Sequence, residues 1–273
     1  MRRLLLLVLL VLLVSGCASG GAPAAKRSTT RSPSPSATTS QAPDPPPQVG
    51  QCYQLTYDAA TSPTTDVPAV PCSQAHTAVT IYVGRIDPVV DGHLLTVDSA
   101  TVQTQIAQTC PTKVGGWVGG DQDTQRLSRF TSIWFSPSLT QADRGADWFR
   151  CDLVAVRGAD DLATLATTKN VLSDADRGLD RYGICGNSAP SAKRFSRIIC
   201  AQPHQWQAVK VVAIAADAAY LGAKAQAAAD DSCKVEAQQR ATDPLVYKWS
   251  FEWPTKHEWD DGQRYGLCWV PAT

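Results

Sequence analysis

The chain lacks the short signatures that mark most catalytic and nucleic-acid-binding proteins. It has no G-x-S-x-G elbow and no H-E-x-x-H pair, and no G-K-[S/T] follows its glycine-rich stretch Gly115 to Gly120. Only three glutamates occur, Glu236, Glu252 and Glu258, so the facing carboxylates that glycoside hydrolysis requires have few candidates. Asp143 and Asp260 each precede a glycine by two positions and read as turn residues. Charge of one sign is also missing: 25 basic residues meet 25 acidic ones. Setting aside Arg2, Arg3, Lys26, Arg27, Arg31 and Asp44 leaves 20 basic and 24 acidic residues, a folded part about four charges acidic. With no Lys/Arg cluster along a predicted helix, nucleic acid is not an expected partner. The ratio of 16 Arg to 9 Lys reads as compositional bias.

Long apolar runs are equally scarce. The one present, Leu4 to Val14, follows Arg2 and Arg3 and has the length of a signal-peptide h-region, too short to span a bilayer. It closes on Val14-Ser15-Gly16-Cys17, which resembles the lipobox of bacterial lipoproteins. The resemblance implies a signal peptide over residues 1–16 and cleavage before Cys17. The thiol would then carry fatty-acyl chains such as palmitate, and the protein would be held to the extracytoplasmic face of the cell membrane. One acyl chain anchors only marginally, at ~0.8 kcal/mol per buried CH₂, whereas two or three hold stably. Residues 17–48, rich in Ala, Ser, Thr and Pro, have too few large apolar side chains to offset ordering and read as a tether of ~30 Å root-mean-square reach.

Cysteine, by contrast, is present in a telling number. Removing Cys17 from nine leaves eight in an exported chain, which reads as disulfides. Cys52, Cys72, Cys110 and Cys151 are spaced by one short gap and two longer ones, and Cys185, Cys200, Cys233 and Cys268 repeat the pattern. The phrase C-x-Q-x-H occurs at Cys72 to His76 and again at Cys200 to His204. Pro137, Asp143 and Gly145 stand 14, eight and six residues before Cys151, as Pro254, Asp260 and Gly262 do before Cys268. Such gapless coincidences indicate a duplicated module. Four cysteines allow three pairings per copy. Locality favours first with second across a variable loop, and third, on a helix, with fourth, on the closing strand.

The alternation of Val79, Ile81 and Val83, with little polarity on either face, predicts a central strand, and Val209 and Val211 occupy the same places in the second copy. Val102, Ile106 and Cys110 predict a helix capped at Asp98 or Thr96 and ended by Pro111, with Gly115 to Gly120 as a loop. Its counterpart carries Leu221, Ala225, Ala229, Cys233 and Ala237 on one face, with Asp217 as cap. The fold class is therefore α+β: two tandem disulfide-stapled modules, each a small antiparallel sheet with one packed helix. Their bounds are residues 49–157 and 179–271, joined by a connector over 158–178.

These residues resemble the septum-formation-related domain of actinobacterial envelope proteins. The likeness rests on Gly50 and Cys52 in a G-x-C opening and on Val70, Pro71, Cys72 and His76 before a strand. In the second copy Pro254, Trp259, Gly262, Arg264 and Cys268 form a P-x-x-x-x-W-x-x-G-x-R segment and closing cysteine. The first copy has Ala142 and Asp147 where the second has Trp259 and Arg264, and the second has Ile199 for Pro71. The resemblance covers about residues 49–156 and 182–270. It implies an envelope protein connected with division or septal wall growth, without a known reaction.

Candidates for chemistry are few. His76 and His204 read as hydrogen-bonded structural residues, since oxidised cysteines supply no thiolates and zinc needs three or four ligands; no metal or cofactor is expected. Aromatics at intervals of two, Tyr247, Trp249, Phe251 and Trp253, would line one strand face. With Trp259 and Tyr265 they form the candidate binding set (Trp249, Trp253, Trp259, Tyr265), able to stack on sugar rings or to serve as core. The expectation is a non-catalytic envelope lipoprotein that meets a protein or cell-wall glycan partner. The alternative is an extracytoplasmic enzyme, or a metal or small-solute binder, at the wall.

Overall fold

The computed structural model describes residues 45–222, 224 and 229–272. Cys17, the expected signal peptide and most of the expected tether lie outside the described residues. The described residues fall in one compact unit. None of their helices is long and apolar enough to cross a membrane.

The first half runs β1 (Cys52–Tyr53), α1 (Tyr57–Ala60), β2 (Ala69–Val70) and β3 (Ala78–Arg85). A small hairpin, β4 (Val89–Val90) and β5 (His93–Leu94), leads to α2 (Ala100–Thr109), α3 (Pro111–Val118), α4 (Gln122–Arg126), β6 (Phe130–Phe135), α5 (Leu139–Asp143) and β7 (Trp148–Ala155). A connector with a 3-10 turn (Val171–Ser173) precedes α6 (Ala175–Tyr182). The second half comprises β8 (Ile184–Gly186), β9 (Arg197–Ile199), β10 (Trp206–Ala213), α7 (Asp230–Arg240), β11 (Ser250–Glu252), α8 (Lys256–Asp260) and β12 (Tyr265–Pro271).

Both halves form a five-stranded antiparallel sheet, ordered β2-β1-β3-β7-β6 and β9-β8-β10-β12-β11, so strand for strand the connectivity is the same. The β3/β7 register slips between Thr80 and Tyr82, and the β10/β12 register slips between Ala208 and Lys210. The slips fall on corresponding residues, because Cys72 and Cys200 fix the offset. Each slip leaves one residue, Ile81 or Val209, out of the ladder.

The cysteines pair as locality favours: Cys52–Cys72, Cys110–Cys151, Cys185–Cys200 and Cys233–Cys268. The second and fourth of these tie a helix to the strand that comes last in the chain in each sheet, and all four of these cysteines are buried. Helix α2 starts at Ser99, whose side chain accepts from Val102 N–H at 3.4 Å, rather than at Asp98 or Thr96. It buries Val102 and Ile106 against the sheet.

Pro111 does not end the helical region. It opens α3, where a missing N–H costs nothing, and the helix passes through Gly115 and Gly116 to Val118 because Val118 is fully buried. Gly119 and Gly120 then stop it with φ of +74° and +71°. In the second half the helix begins at Asp230, so Asp217 does not cap it; Ala229, Cys233 and Ala237 face the core as expected. Leu221 is largely exposed, and Ala225 lies outside the described residues.

The connector is not a loose linker. Leu162, Ala163, Leu165 and Leu172 are buried, and Leu165 N–H donates to His76 C=O at 2.8 Å. The first core, around Val102, Ile106, Leu153 and the Cys110–Cys151 bridge, also takes in Tyr182 and Ile199. Leu127 from the first half packs with Ile184, Leu267 and Trp269 of the second.

Candidate functional site

Where α4 gives way to β6, the chain runs against the start of the second sheet. Ile184 N–H donates to Leu127 C=O at 2.8 Å and Arg129 N–H to Tyr182 C=O at 2.7 Å, which pairs Ser128 with Gly183. The Tyr182 ring, fully buried, lies 4.6 Å from that of Phe130. Its hydroxyl accepts from Ala166 N–H at 3.0 Å. This short stitch joins the two halves and fixes the floor of a cleft of about 680 Å³.

Helices α3 and α4 and strands β6, β8, β9 and β12 supply the cleft's lining. Arg126, from the last turn of α4, lies over the Tyr265 ring at 4.5 Å. Burial raises the Tyr265 phenol pKa above its usual value, against the opposing effect of Arg126 and Arg197. Arg197, from β9, is held on two sides: Glu252 accepts from its Nε at 3.0 Å, and Glu258 accepts from its Nη1 at 2.7 Å. Glu252 also accepts from Trp269 Nε1 at 3.1 Å, and Glu258 from Thr255 N–H at 2.7 Å in the capping box of α8.

Arg129 stands apart from this arrangement. Its Nε donates to Val156 C=O at 3.0 Å, and no carboxylate among the described residues lies within ion-pair distance. Burial lowers its pKa to about 10, with Arg197 adding repulsion and Glu252 and Glu258 offsetting part of it. The guanidinium is therefore charged at neutral pH, half-buried and without a direct counter-ion. Ser132, on the same wall, has a buried hydroxyl with no hydrogen-bond partner. A cleft of this size with convergent polar groups suits a ligand segment carrying negative charge.

Only one of the four aromatic candidates reaches it. Tyr265 lines the cleft. Trp259 is 8% exposed and stacked on Trp253 at 5.5 Å and 16°, with the Arg264 guanidinium 4.0 Å from the Trp259 ring centroid. Trp249 and Trp253 pack against the second core. The expected strand face from Tyr247 to Trp253 does not form, because β11 spans only Ser250–Glu252. Burying these rings is how a core otherwise made of alanine, valine and cystine gains apolar area.

The two histidines hold equivalent hydrogen bonds. His76 Nδ1 donates to Gln74 C=O at 2.8 Å and His204 Nδ1 to Gln202 C=O at 2.7 Å. The proton must sit on Nδ1, since a carbonyl only accepts. The C-x-Q-x-H phrase thus closes a turn just after each first disulfide. Among the described residues no three His, Cys, Asp or Glu side chains group as metal ligands. Asp260 pairs with Lys256 on the exposed side of α8.

Sequence reasoning passed over Arg126, Arg129 and Arg197. They stand on separate elements up to 71 residues apart, and the excess of arginine over lysine was their one trace in the composition.

A family model described as septum formation matches residues 122–248, just under half of the 273 residues. No curated protein and no solved structure matches the chain. The match begins at the first residue of α4 and ends before β11, so it leaves out Gly50, Cys52, Cys72 and the closing Pro254 to Cys268 segment and instead spans the join between the sheets. Arg126, Arg129 and Arg197 all fall inside it. The match supports a septum-formation-related family for this chain.

Proposed function

We propose that the chain is a non-catalytic lipoprotein of the cell envelope, made of two tandem septum-formation-related modules, that binds a protein or glycan partner during septum formation or wall growth. The observation that carries this reading is the coincidence of the family match with the inter-sheet cleft and its arginines. Equal strand order and equivalent bulges support the duplication. Four disulfides support an oxidising compartment. The order of basic pair, apolar run and Cys17 supports the lipid anchor.

Two measurements test it together. Palmitate labelling of the full chain should disappear in Cys17→Ser, and a fluorescent fusion should concentrate at division sites, with depletion delaying septation. Uniform membrane fluorescence with normal septation would refute the septal role, and unlabelled wild-type chain would refute the anchor.

A further inference from the structure

We infer that the outer edge of β6 is a strand-addition site for an extended, acidic peptide segment of a partner protein. The inference rests on the reading that the chain works by binding. β6 ends the first sheet: among the described residues its only strand partner is β7. Six residues give an edge of ~20 Å along which alternate backbone N–H and C=O groups have no ladder partner.

Proteins usually blunt such an edge with charge, proline, a bulge or brevity. Every other outer strand here is blunted. β2 has two residues, β9 three with Arg197 among them, and β11 three with Glu252 inside and Pro254 just beyond. β6 reads Phe-Thr-Ser-Ile-Trp-Phe, with no charge, no proline and no register slip against β7. Its counterpart in the second sheet is half as long, so the long bare edge belongs to the first half alone.

The same strand already accepts a partner one step upstream. Leu127 to Arg129 pairs with Tyr182 to Ile184, and that pairing stops where the cleft opens along Phe130, Thr131 and Ser132. A peptide laid along β6 would continue this short ladder. At the junction it would meet Arg129, whose guanidinium has no carboxylate at ion-pair distance, and Arg126 nearby. Charge complementarity therefore selects an acidic side chain or terminal carboxylate at that end, while the backbone ladder supplies affinity.

The test uses the full chain in detergent with synthetic eight-residue probes at ~1 mM: two acidic ones, alternating Thr-Val with Asp-Asp at one end or at the other, their Lys-Lys equivalents, and the acidic probes interrupted by proline. Hydrogen exchange is read over residues 130–135. One acidic probe should slow these amides at least ten-fold; the lysine and proline probes should not. Arg129→Gln, checked for unchanged far-UV dichroism, should weaken the acidic probe about ten-fold. Unchanged exchange with both acidic probes overturns the inference, as does protection of 130–135 by self-association without peptide. A wall-glycan fragment that binds while 130–135 exchange freely, with no acidic probe protecting them, overturns it as well. Palmitate labelling and septal localisation are independent of this readout, so either reading can fail while the other stands.

Discussion

Replacing Asp152 with asparagine isolates a charge that the first sheet keeps in its interior. Asp152 is fully buried on β7, accepts a 2.7 Å hydrogen bond from Thr80 Oγ1, and lies 3.1 Å from Arg150 Nε. The Arg150 guanidinium stacks over Tyr53 at 3.7 Å and Phe135 at 4.6 Å. Close as the two charges are, neither Arg150 Nε nor Asp152 Oδ2 makes a hydrogen bond of good geometry. Burial therefore outweighs the attraction of Arg150, and the Asp152 pKa rises from 3.8 to about 6. The folded state binds this proton more tightly than the open chain, so the stability it contributes is present below pH 3.8 and lost as pH rises through about 6. The difference between the two values corresponds to about 3 kcal/mol.

Urea denaturation of the wild type and Asp152→Asn, followed by tryptophan fluorescence between pH 3.5 and 7, measures it. Groups common to both proteins cancel in the difference. The stability of the wild type relative to the variant should fall by about 3 kcal/mol across that interval. A flat difference would mean that Asp152 is not desolvated. One that rises with pH would mean that the ion pair wins, and either result refutes the reasoning. The second half offers the comparison: Leu267, Trp269 and Ala208 stand where the first has Arg150, Asp152 and Thr80. Arg150→Leu with Asp152→Leu should then be neutral or up to ~4 kcal/mol stabilising, as is common for buried pairs replaced by apolar side chains.

Reduction should proceed in a fixed order. Cys72 is exposed whereas the remaining bonded cysteines are buried, so mild thiol followed by alkylation and mass mapping should open Cys52–Cys72 first; an earlier opening of Cys110–Cys151 would contradict the packing. Trp259→Ala should cost ~3–5 kcal/mol in chemical denaturation, because it removes a buried ring stacked on Trp253 and faced by Arg264. A variant of unchanged stability would place the ring on an open face after all.

Much of the architecture was legible in one dimension because local constraints repeat there. Cysteine spacing, the C-x-Q-x-H turn and the alternation behind it recur along the chain, and the short gaps of 20 and 15 residues favour closing the first two sulfurs of each copy on one another. The α+β class and the inward-facing helix cysteines follow from those patterns alone. Helix ends were harder. Pro111 carries the signal for a stop and for a start alike, and only burial of Val118 decides that the chain turns helical again. The aromatic row misled for a related reason: period-two spacing describes a strand face, but β11 is too short to use it, and the small-residue core takes the rings instead.

The cleft was out of reach of any local pattern. Arg126, Arg129 and Arg197 acquire meaning only when Leu127 to Arg129 pairs with Tyr182 to Ile184 and draws the two sheets together. The sequence by itself determined the fold class and the duplicated phrases, since these depend on neighbours in the chain; loop closure favoured one pairing of the cysteines out of three in each copy, and the packed structure fixed it. Which strand edge stays bare, which arginine lacks a carboxylate and which tryptophans are buried were decided by tertiary structure, because burial and charge pairing depend on residues distant in sequence.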